Sequence, residues 1–213
     1  MDIQFIKDAS VVIGLWLVFY KIAAWQIEHR GKRNIELAEE TLALFYEAKD
    51  IIEWLRHPIG FSDENSSLVQ GERENKEDFE ARKRVNFIFY RYNQNKELFN
   101  KIHSLRYRFM AQIGKEQAKP FDELDSLIKQ IVAAARLLII LWPENNFRTE
   151  DEKKKHYEQI KRNEKIIWDS FSDDDPIKLR LNELIKNIES VCQDVIVAKG
   201  TLSGFLNSHL KEK

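Results

Sequence analysis

Glycine and proline are scarce, at seven and four of 213 residues. A chain so poor in turn formers is unsuited to a β-sandwich, and it lacks the glycine loops that cradle phosphate. A single cysteine, Cys192, excludes an internal disulfide framework and a cysteine-based zinc site. Charge of one sign is also missing: 34 Lys and Arg stand against 35 Asp and Glu, so no bulk basicity argues for nucleic acid. GxSxG, HExxH and Walker-type motifs are absent. Glu53/His57 and Glu152/His156 share helix faces at i, i+4, whereas ferritin-like di-metal sites use Glu-x-x-His at i, i+3. The sequence therefore assigns no catalytic residue, metal or cofactor, and an enzyme with dispersed residues is only a third reading.

The one long apolar run is Ala9–Ile27, ASVVIGLWLVFYKIAAWQI. As a helix, its ~19 residues would extend ~28 Å, near the ~30 Å hydrocarbon thickness of a bilayer. Nine strongly apolar residues contribute about −0.3 to −0.6 kcal/mol each to insertion, against about +2.5 to +3.5 for Lys21 at mid-bilayer. Snorkelling of Lys21 reduces that cost. The expectation is a membrane anchor over residues 1–30, a single span. The basic flank His29, Arg30, Lys32 and Arg33 then places a helical domain, residues 31–213, in the cytoplasm.

The remainder reads as all-α, an antiparallel bundle of four to five long helices near 33–57, 78–114, 120–142, 150–171 and 176–198. Each proline falls at a helix end: Pro58 and Pro143 as stops, Pro120 and Pro176 at first turns. Thr149 with Glu152 forms a capping box, and Asp173–Asp175 supplies an N-cap before Pro176. Ile177, Leu181, Leu184, Ile188, Val191 and Val195 form a helical stripe bordered by Cys192, a small core residue. Ile131–Trp142 is apolar nearly all round, which predicts a fully buried helix. The polar stretch 59–76 is long for a bundle connection and reads as a mobile loop.

Charge is segregated along the chain. Between Glu36 and Glu80, thirteen acids face four bases, a net of −9; from Arg82 to Lys115, nine bases face Glu97 alone, a net of +8. Complementary packing of the two helices is one reading. The other is a basic surface carrying Arg82, Lys83, Arg84, Arg91, Lys101 and Arg108, able to meet RNA or anionic lipid. Against that surface, Val85, Ile88, Tyr92, Phe99, Ile102, Phe109 and Ile113 form a heptad-like stripe that claims most of the aromatics for a core. Asn95 and Arg106 complete this stripe, and Arg136 interrupts Ile131–Trp142. With Glu47 and Asp50 as partners, these residues define a candidate interior polar cluster; the alternative leaves both arginines at a wet rim. The functional expectation is a membrane-anchored, cytoplasm-facing helical protein that acts by binding. It would serve as a scaffold, adaptor or sensing subunit, with a protein partner or further copies of itself.

Overall fold

A computed structural model describes residues 3–60, 62–143 and 147–200, and among these every regular element is helical. Six α-helices are present: α1 (Ile3–Arg56), α2 (Lys76–Gln94), α3 (Lys96–Gln112), α4 (Lys119–Leu141), α5 (Glu150–Ile167) and α6 (Pro176–Gly200). Short 3-10 turns at Ser62–Asn65 and Glu116–Ala118 punctuate the connections. The caps explain the starts. Asn75 accepts the Asp78 amide at α2, Thr149 accepts the Glu152 amide at α5, and Asp175 accepts the amides of Ile177 and Lys178 at α6. At α5 the Glu152 carboxylate reaches back to the Arg148 amide rather than to Thr149, a capping box shifted by one residue.

The chain divides into two compact units. One takes α1 up to Glu40 and α6 from Cys192; the other is Thr41–Val191. In the first unit, Asn34, Leu37, Ala38 and Cys192 are buried, whereas every described side chain from Trp16 to Arg30 is exposed.

The anchor expectation is corrected here. Among the described residues no helix is long and apolar enough to cross a membrane. Side chains 9–15, 23 and 27 of the expected span lie outside the described residues. In the part of the run whose side chains are described, Lys21 and Gln26 interrupt the apolar residues, and Glu28, His29 and Arg30 end it. Helix α1 itself runs unbroken for 54 residues. The membrane localisation and the orientation inferred from the basic flank fall with the span.

In the second unit, α2 and α3 together run antiparallel along α4. Arg84 lies 4.0 Å over the Trp142 ring at one end, and Arg106 meets Asp122 at the other. The sequence read 78–114 as one helix; the structure breaks it at Asn95. There the amide bonds to the Tyr92 carbonyl and the side chain donates back to the Arg91 carbonyl at 2.8 Å. Phe121 of α4 packs edge-on to Phe45 of α1 and tilted on Phe109 of α3, at 4.9 and 5.1 Å between ring centres. Helix α6 runs antiparallel to the end of α1, tied by Tyr46 to Glu189 and by Arg56 to Asp175. The stripe Ile177, Leu181, Leu184 and Ile188 is buried, as the spacing implies.

Helix α4 is not buried all round. Ile131, Ala134, Ala135 and Leu138 face the core, while Ala133, Arg136, Leu137 and Ile140 are exposed, Ile140 by 70 %. At 100° per residue even an apolar helix on one side of a small unit keeps an outer face.

Candidate functional site

The strongest buried electrostatics lie on two arginines that seal helix ends. Arg91 is wholly buried. Its Nε and Nη2 donate to Glu64 at 2.6 and 3.3 Å; Nη1 donates to the carbonyls of Trp54 and His57, and Nη2 also to that of Ile59. All five guanidinium N–H groups are thereby used, which is the condition for burying a group that keeps its charge. The three carbonyls lie at and just beyond the C-terminus of α1, where the helix leaves acceptors unpaired and partly negative. Trp54 and Phe87 rings lie about 5 Å from the guanidinium. Gly60 gives the Glu64 carboxylate its room, since a Cβ there would stand 2.9 Å from Oε2.

Arg56, the last residue of α1, repeats the arrangement at the end of α5. Its Nε and Nη2 donate to the carbonyls of Lys165, Ile166 and Trp168. Nη1 and Nη2 meet the two Asp175 carboxylate oxygens at 2.9 and 2.8 Å. Burial would raise the Asp175 carboxyl, but the Arg56 guanidinium and the amides of Lys178 and Ser170 outweigh it and hold the group well below its ordinary 3.8. The segment between α5 and α6 bends sharply to deliver Asp175, with Phe171 at φ 53°, in the left-handed region.

These are not the clusters the sequence singled out. Glu47, Asp50 and Arg136 are exposed, so no interior cluster forms from them. Asn95 is half-buried at the α2–α3 break. Arg106 pairs with Asp122, itself 60 % exposed, at the mouth of a recess of about 80 Å³ lined by Tyr92, Phe99, His103 and Phe121. That volume falls well short of the ~300–1,000 Å³ of ligand pockets. The Arg106 Nε is buried without a hydrogen-bond partner among the described residues.

The basic surface is also reduced. Arg91 is interior, and Arg82 is half-buried against Glu74, with Nε and Nη2 donating at 2.8 and 2.7 Å. This pairing holds the Glu74 carboxyl down at about 2 and raises Arg82. Lys83, Arg84, Lys101 and Arg108 remain at the surface. Complementary charge does operate, but through the connection 59–76: Glu64 and Glu74 meet Arg91 and Arg82. A stretch read as a mobile loop is therefore pinned by two ion pairs and a 3-10 turn.

Sequence reasoning passed over Arg56 and placed Arg91 on the basic surface, although a signal for burial existed. Arg56 follows Ala48, Ile52 and Leu55, and Arg91 follows Ala81, Val85 and Ile88, each on the buried face of its own helix. Their partners, a loop glutamate and a capping aspartate, lie too far off in sequence for spacing to connect them.

The least ordinary surface is on α1. Trp16, Leu17, Val18, Phe19, Tyr20, Ile22 and Trp25 are exposed by 47–69 %. Trp16 stacks on Tyr20 and Trp25 on His29, one turn apart, at 5.8 and 5.4 Å. Among the described residues no group of three or more metal-capable side chains gathers.

The fold and these features define an all-helical bundle protein. Comparison with protein families, curated proteins and solved structures finds no match.

Proposed function

We propose that this protein acts by binding, as a scaffold or adaptor whose docking element is the Trp16–Trp25 stretch of α1. The observation behind the reading is the exposure of seven large apolar side chains, three of them aromatic residues beyond 60 %, within ten residues of one helix. Contiguous apolar surface of this extent marks interaction sites in helical proteins. Tryptophan, tyrosine and phenylalanine are also the residues that dominate association energies.

The test compares tagged full-length protein with the Phe19→Glu/Trp25→Glu variant, both cross-linked in the cells that make them. Neighbours captured by the wild type and lost from the variant are expected. Identical capture by both forms overturns the reading.

A further inference from the structure

We infer that the surface covering Trp16–Trp25 is the same segment of further copies of this chain, so that the protein self-associates through an apolar helical cluster. This rests on the binding reading above and names its partner.

Area is the first argument. With roughly 150–250 Å² for each aromatic side chain, the exposed residues leave roughly 800 Å² of apolar surface in water. That exceeds the ~300–600 Å² of the largest patch on an ordinary monomer and equals the ~800 Å² that one partner brings to a stable interface. Direction is the second. Trp16, Leu17, Val18 and Phe19 are consecutive, so at 100° per residue they point to four sides of the helix, and all four are exposed. One groove on a foreign partner covers one side only. A helix that is apolar all round needs neighbours on several sides, and further copies supply them from a single kind of surface. Chemistry is the third. Lys21 is the sole charged residue from Trp16 to Ile27, so two such segments meet with no other charge to match or bury. Lys21 opposes the contact and must keep its ammonium at the rim.

The experiment is sedimentation equilibrium of the full chain in detergent-free buffer over a hundredfold range of concentration. Wild type is expected at twice the 25.3 kDa chain mass or more, dissociating on dilution. Phe19→Glu/Trp25→Glu should be monomeric, with wild-type helicity and melting of the bundle. Lys21→Leu should tighten association by about tenfold or more. An oligomer indifferent to the double substitution overturns the inference, because association then runs through another surface. A wild-type monomer overturns it too, including one that binds phospholipid vesicles through these residues. If that monomer still captures neighbours through Phe19 and Trp25, the binding reading survives without self-association; if it captures none, both fall.

Discussion

Arg56 and Asp175 lie 119 residues apart and meet through two parallel hydrogen bonds of 2.9 and 2.8 Å, both side chains almost completely buried. The aspartate also caps α6, and the arginine also caps α5. One ion pair thus fixes where one helix stops and the next begins.

Removing either buried arginine should be costly. Arg56→Met and Arg91→Met each leave a carboxylate and several carbonyls without donors, which should lower stability by ~3–5 kcal/mol. Arg136→Met, at an exposed position, should change it by ~0.5 kcal/mol or less, and Arg106→Met by ~1 kcal/mol, plus what its buried stem contributes. Urea denaturation of the four variants measures the contrast.

Asp175 gives stability a defined acid limb. Its folded carboxyl titrates below the ordinary 3.8, so on acidification the unfolded chain takes up the proton first. The Asp175 contribution is therefore complete above that value and is lost progressively as pH falls below it. Asp175→Asn should be less stable at neutral pH by ~3 kcal/mol or more, and the difference from wild type should shrink towards pH 2 in denaturation curves.

Gly114 occupies φ 148°, and a Cβ there would run into the Gln117 side-chain oxygen. Gly114→Ala should destabilise the turn between α3 and α4 by ~1 kcal/mol or more. The clash falls on a movable side chain but the strain lies in the backbone, so adding Gln117→Ala should recover only part of the loss. Thermal melts of the single and double variants separate the two causes.

Burial pushes the Cys192 thiol up to about 12, leaving almost no thiolate near neutrality. Alkylation at pH 8 should therefore be slow in native buffer and fast in denaturant, and its rate should report local opening of α6. Labelling followed by mass measurement checks this.

Much of the helical layout was legible because it depends on local chemistry. The prolines, the Thr149 and Asp175 caps and the spacing from Ile177 to Ile188 act over four residues or fewer, and the structure keeps them. The break at Asn95 was not legible, because the apolar stripe continues in phase from Val85 to Phe109 across it. Nor could composition tell that Leu137 and Ile140 stay exposed, since exposure depends on which neighbours are present. A candidate polar interior was drawn around Arg106 and Arg136 for their place in apolar runs, beside a wet-rim alternative. Burial instead went to the two arginines whose positions let them reach helix-end carbonyls, and that follows only from tertiary packing. The apolar run near the N-terminus was legible as a run, but it suggested a membrane span that no described helix provides.

Arg91 closes the end of α1, the last residue of α1 closes the end of α5, and the acid beside it opens α6. No one of these helix ends can fray without taking hydrogen bonds from the next. The amides around His57, Trp168 and Lys178, scattered along the chain, therefore belong to one cooperative opening unit and should share a common free energy of hydrogen exchange. Terminal turns, ordinarily the loosest parts of a helix, here become a shared fastening.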